Sequence, residues 1–199
     1  MSVRVLVTGA TGFIGGGLTG SLAARGFEVR CLVRDRDSGR ARGLEREGFE
    51  LHVGDALRPR TLRGAGRGID AAYYLIHSMG RGGPNDFVSR ESAAALAFAE
   101  MARAEGIERV IYLGGLGDQP NSRHLRSRHE TARLLREHGP ALTYFRAGMV
   151  VGPESESYRT LRYLVQRLPA MIAPAWLQNP TQPIAIDDTL RYLVEALEV

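Results

Sequence analysis

Three glycines spaced Gly9-xx-Gly12-xx-Gly15 follow directly on the apolar run Val3-Arg4-Val5-Leu6-Val7. A strand that feeds such a turn lets the backbone bend tightly, pass close to a pyrophosphate and open a helix whose free N–H groups face the anion. Gly9, Thr11, Gly12, Phe13 and Ile14 are therefore read as a dinucleotide site. A glycine-rich loop without a ligand is the plainer alternative, but strand, turn and helix stand in the order the chemistry needs.

A second strand pattern, Glu28 to Val33, ends in Arg34, with Asp35, Arg36 and Arg40 close behind. In a nucleotide-binding sheet this tip reads the adenosine ribose, through a carboxylate for the two hydroxyls of NAD or an arginine for the 2′-phosphate of NADP. Arg34 favours NADP, and the neighbouring Asp35 keeps NAD open. The third strand pattern, Phe49 to Val53, runs into Gly54-Asp55-Ala56-Leu57, where Asp55 is either a cofactor contact or a cap for the turn before Pro59. The fourth, Ala71 to Leu75, ends at Ile76, His77 and Ser78, which border the ribose and nicotinamide if the strand ends face a ligand crevice.

The elements that must position these residues keep alternating. Asn85 to Glu105 carries apolar residues at helical spacing, Arg109 to Leu113 reads as a fifth strand ending at Gly114-Gly115, and Glu130 to Glu137 as a helix stopped by Gly139-Pro140. Leu142 to Arg146 is a further strand. A looser, Pro-rich segment from 152 to 183 follows, then a short strand Ile184 to Ile186 and a last helix from Asp187. Strands alternating with helices imply an α/β fold with a parallel sheet covered on both faces. Residues 1–199 read as one domain, with 152–183 as a substrate-side or lid segment and Leu161, Leu164 and Val165 at helical spacing within it.

Together, the glycine turn, Leu32-Val33-Arg34, Gly54-Asp55, the run Arg146 to Pro153 and the run Pro183 to Asp188 resemble atypical or extended short-chain dehydrogenases of the NmrA-like type. The resemblance implies a Rossmann-type doubly wound sheet over nearly the whole chain, and an adenine contact for Asp55. The segments Leu75 to Gly83 and His124 to Arg128 resemble a bacterial branch in which several members carry a further START-like domain. A single-domain relative and a trimmed N-terminal domain both fit that likeness.

Reductases of the superfamily use a Tyr to protonate the substrate oxygen, a Lys four residues on to lower the Tyr pKa and hold the ribose, and a Ser or Thr to orient the carbonyl. This chain contains no lysine, all 26 Lys+Arg residues being Arg. The stretch aligned with the Tyr and Lys is His124-Leu125-Arg126-Ser127-Arg128, and the Ser/Thr position falls on Gly114 or Gly115. Arg128 has the donors to hold a ribose, but its pKa is too high for proton exchange. The candidate catalytic groups are therefore His77, Ser78 and His124, an imidazole being a competent acid near neutrality. Core or solvated-loop roles for the histidines stay open, and Tyr73, Tyr74 and Tyr112 read as strand and core residues. A non-standard or solvent proton source would serve an oxidoreductase acting on a carbonyl, quinone or flavin-like acceptor, and without it the chain would be a dinucleotide-binding sensor or scaffold.

Composition fits a compact domain, with 44% hydrophobic and 24% charged residues. The chain has no apolar run of about eighteen residues and no basic leader with a cleavage site, so neither a membrane nor a secretory route is expected and the location expected is cytoplasmic. One cysteine, Cys31, excludes an internal disulfide and a cysteine metal site, and no metal is expected. A net charge of +4 raises the question of nucleic acid, but the arginines are scattered and no nucleic-acid motif is present. Self-pairing through the long helix is a further option the sequence does not decide.

Overall fold

A computed structural model describes residues 2–77, 84–117, 122–167 and 182–198. Six strands form one parallel sheet: β1 (Arg4–Thr8), β2 (Glu28–Val33), β3 (Glu50–Val53), β4 (Ala71–Tyr74), β5 (Arg109–Gly115) and β6 (Ala141–Ala147). Their order is β3-β2-β1-β4-β5-β6. The order reverses between β1 and β4, the switch point at whose C-terminal strand ends sheets of this kind place their ligand crevice. Six helices connect the strands: α1 (Phe13–Ala24), α2 (Gly39–Arg46), α3 (Pro84–Ala104), α4 (Arg123–His138), α5 (Glu156–Arg167) and α6 (Ile186–Glu195). Two short strands, β7 (Val150–Val151) and β8 (Ile184–Ala185), pair in parallel as a separate sheet.

Strand alternation builds two cores, one on each face of the sheet. Val5, Val7, Tyr73 and Ile111 join Leu18, Leu22 and Leu193 on one side. Leu6, Ala72, Tyr74, Val110 and Tyr112 join Phe98 and Leu135 on the other. Tyr73 and Tyr74 thus point in opposite directions from one strand, and burial raises the pKa of both phenols. Cys31 is buried in the first core, where desolvation pushes its thiol up to about 12.

Three expectations shift. Helix α4 starts at Arg123 rather than Glu130, because Ser122 accepts a capping hydrogen bond from Leu125 N at 3.1 Å and the first turns bury Ser127 and Arg128 in place of apolar residues. His124 and His129 are accordingly helical rather than parts of a loop. Part of the looser 152–183 segment is the regular helix α5, and Ile186 is the first residue of α6 rather than the last of a strand.

Candidate functional site

Gly9 adopts φ +66°, and a Cβ there would lie 2.6 Å from Leu75 O. Gly15 is tighter still, since its Cβ would meet Gly9 O at 2.2 Å. Only glycine at both places lets α1 begin directly on the strand-end turn. Gly12 N donates to Gly9 O at 2.8 Å and closes the turn. Among the described residues the α1 N-terminus has no side-chain cap and no acid in its first turn, so no side chain there neutralises the positive end of the helix dipole. The Phe13 ring lies against Gly152, and Ile14 packs on the core, so the side chains of both are engaged within the fold. A Cβ at Gly17 would lie 2.9 Å from Leu190 Cδ1, so this glycine admits α6.

Beyond β2, Arg34 is exposed, with no hydrogen bond or ion pair among the described residues. Arg40 Nη1 donates to Thr11 O at 2.6 Å, which fixes a second guanidinium against the glycine turn. Arg36 is paired with Glu45, and Arg42 with Asp37. Asp35 Oδ1 accepts from Asp37 N at 2.9 Å, so its carboxylate is turned back on its own loop. Asp55 does the same, accepting from Leu57 N at 3.0 Å while its own N–H donates to Thr61 Oγ1 at 2.8 Å. That bond makes it a turn-former at the end of β3, with Ala56 buried beside it.

At the end of β4, Thr8 Oγ1 accepts from Leu75 N at 2.9 Å and holds the two crevice strands in step. Ile76 packs on the second core, and His77 follows it. The buried Arg128 guanidinium reaches His77 from α4, Nη1 lying 2.7 Å from His77 Nε2 and hydrogen-bonding the ring. Burial, then Arg128, then His124, drive the His77 pKa down to about 3, so the ring is neutral at physiological pH and can accept from the guanidinium. His124 is partly exposed one turn before Arg128; its pKa is lowered by burial and Arg128 and pulled back by Glu91. Glu91 of α3 is itself buried and accepts a hydrogen bond from Ser127 Oγ. The two histidines and Arg128 therefore do meet, with the Glu91–Ser127 pair beside them, at the β4–β5 end of the crevice. Ser78, the third catalytic candidate, lies outside the described residues.

A model of the NmrA-like family matches residues 1–193. The chain belongs to that family. It is 29% identical over 170 residues to the ceramide reductase of Caulobacter vibrioides, covering 84% of this chain and 52% of that protein. It is 31% identical over 149 residues to the photosystem II assembly factor Ycf39 of Cyanophora paradoxa, covering 72% of this chain and 44% of that one. The chain thus spans about half the length of these curated relatives. In fold it matches the dTDP-glucose 4,6-dehydratase DesIV of Streptomyces venezuelae, solved with NAD bound, at a TM-score of 0.79 and 18% identity over 99% of this chain and 72% of that one.

Within this NmrA-like chain β5 runs on through Gly114 and Gly115, where the sequence placed the end of the strand. Gly114 is not merely a missing Ser: a Cβ there would lie 2.7 Å from Tyr144 Cε2 and 2.9 Å from Tyr144 Oη, so an aromatic side chain from β6 fills the space. Gly115 is closed in the same way by Leu125 Cδ1 at 2.7 Å. Sequence reasoning passed over Tyr144, Glu91 and Ser127. The one signal for Tyr144 was register: parallel pairing sets it opposite Tyr112, on the face that Gly114 shares two residues on. Among the described residues no cluster of His, Cys, Asp or Glu suits a metal, and no helix is long and apolar enough to cross a membrane.

Proposed function

We propose that this chain is the cofactor-binding part of an NADP(H)-dependent reductase of small carbonyl or quinone acceptors. The observation that carries the reading is the uncapped α1 N-terminus seated in a cradle that any Cβ at Gly9 or Gly15 would fill. Such a terminus suits a pyrophosphate. Arg34, exposed at the β2 tip, and Arg40, anchored on Thr11 O, supply two cations for a 2′-phosphate, while Asp35 is occupied in its own turn. Asp55 and Ala56 border the adenine, and Ile76, His77, Gly114 and Arg128 border the nicotinamide ribose, where the Arg128 fork holds hydroxyls in place of a lysine.

When bound, the nicotinamide cofactor supplies the hydride. The chain supplies binding and orientation. Neutral His77 accepts from Arg128 and keeps the guanidinium in place, and His124, also shifted toward its neutral form, offers a ring N–H to an acceptor oxygen. The proton that completes the reduction comes from solvent. The absence of any lysine favours a second reading, a dinucleotide-binding sensor or scaffold, which shares the same cofactor half.

Isothermal titration with NADPH, NADP, NADH and NAD tests the reading. Tighter binding of the phosphorylated pair by about tenfold or more, lost in Arg34→Ala, supports it. Equal affinity for all four removes the NADP assignment, and no binding at all removes the cofactor site. NADPH binding without oxidation by any carbonyl or quinone leaves the sensor reading in its place.

A further inference from the structure

The Tyr144 hydroxyl is enclosed and has no hydrogen-bond partner among the described residues. Its ring stacks on Tyr112, with centroids 5.3 Å apart and planes 14° from parallel, and leans past it to the level of Gly114. Tyr112 is satisfied differently, its Oη donating to Arg128 O at 3.4 Å. An unpartnered buried hydroxyl costs about 1–3 kcal/mol. Proteins retain such a group where something else completes it. The oxygen stands where the side chain of residue 114 would project, at the C-terminal end of β5, on the sheet face that carries α4 and Arg128. A phenylalanine would fill the same stack without the cost.

We propose that Tyr144 reaches across from β6 to serve as the substrate-orienting hydroxyl of this site, donating a hydrogen bond from Oη to the carbonyl oxygen of the acceptor through the notch left by Gly114. Gly114 and Tyr144 are then one device: the glycine makes room and the neighbouring strand returns the hydroxyl. No proton is transferred, because desolvation raises the Tyr144 pKa and keeps the phenol protonated. The oxygen is enclosed in the free chain, so contact requires the covering side chains to change rotamer on binding, a common adjustment at such sites. The inference rests on the reductase reading for its acceptor, but its test does not depend on turnover alone.

The test uses the full chain labelled with 13Cζ-tyrosine, with the Tyr144 resonance assigned from its loss in Tyr144→Phe. The probe is NADP with 9,10-phenanthrenequinone, a pair that cannot turn over. The quinone is expected to move the Tyr144 resonance, whereas an unmoved resonance overturns the proposal. In parallel, Tyr144→Phe is expected to melt no lower than the parent and to bind NADPH equally well, yet to reduce the quinone about tenfold more slowly, the worth of one neutral hydrogen bond. Unchanged turnover overturns the proposal. Gly114→Ser combined with Tyr144→Val, which returns the hydroxyl to β5 and clears the ring, is expected to recover part of the rate lost in Tyr144→Val. If the parent protein oxidises no NADPH with the quinone, the reductase reading fails and the resonance alone decides the role of the hydroxyl.

Discussion

His77 shows how one contact sets a charge state. The unfolded chain takes up a proton at this ring near the ordinary value of 6.5, but the folded chain resists until about pH 3 because the ring is largely buried beside Arg128. The native state therefore binds fewer protons across that window, and folding stability falls as the pH drops through it. His77→Asn keeps an acceptor for Arg128 and removes the titration. Urea unfolding of both proteins at pH 7 and pH 4.5 is expected to show the parent losing more stability on acidification, by on the order of 1–3 kcal/mol. Parallel losses would remove His77 as the source. The sequence marked His77 as a candidate site residue at a strand end, but not its contact with Arg128 or its charge state. The glycine turn was legible because its chemistry is local, whereas the Arg128 contact joins residues 51 positions apart and the Tyr144 notch joins two strands.

Among the elements, α1 and its N-cap Gly12 carry five glycines in one stretch from Gly12 to Gly20. Gly15 meets backbone, while a Cβ at the exposed Gly20 would meet nothing within 4 Å. Gly20→Ala is expected to raise the unfolding free energy by about 0.5–1 kcal/mol, the helix propensity gained and the unfolded-chain entropy removed. Gly15→Ala is expected to lower stability and abolish NADPH binding, because its methyl would displace the Gly9 carbonyl that closes the turn. Denaturant titration with and without NADPH checks both, and a Gly15→Ala protein that still binds would refute the cradle. The six strands of the main sheet and α3 were legible from apolar periodicity, whereas β7 was not. The first two turns of α4 were not, because their buried face is Ser127 and Arg128, residues that periodicity counts as solvent-facing.

Across the whole molecule, the last helix is what makes the cofactor half a stable body. Tyr73 Oη in the centre of the sheet donates to Leu193 O at 2.6 Å, Arg109 Nη1 to Ala196 O at 2.9 Å, and Arg25 pairs with Glu198 at 2.9 Å. Leu193 and Val194 close the same core as Leu18 and Leu22 of α1, and Leu190 seats in the gap at Gly17. The α1 N-terminus that faces the crevice is thus backed by residues some 170 positions later, far beyond the first βαβ unit. A chain ending at Gln182 would expose Leu18, Leu22 and Tyr73 and leave the Tyr73 hydroxyl without its acceptor. Such a chain is expected to lose its cooperative melt and its cofactor binding together, while Leu193→Ala is expected to keep the fold at a cost of about 2–5 kcal/mol. NADPH should restore part of the Leu193→Ala loss by mass action, about 2.7 kcal/mol at a hundredfold excess over Kd. If the truncated chain melts cooperatively and is still stabilised by NADPH, the sheet and α1 stand without α6, and the clamp is only an accessory.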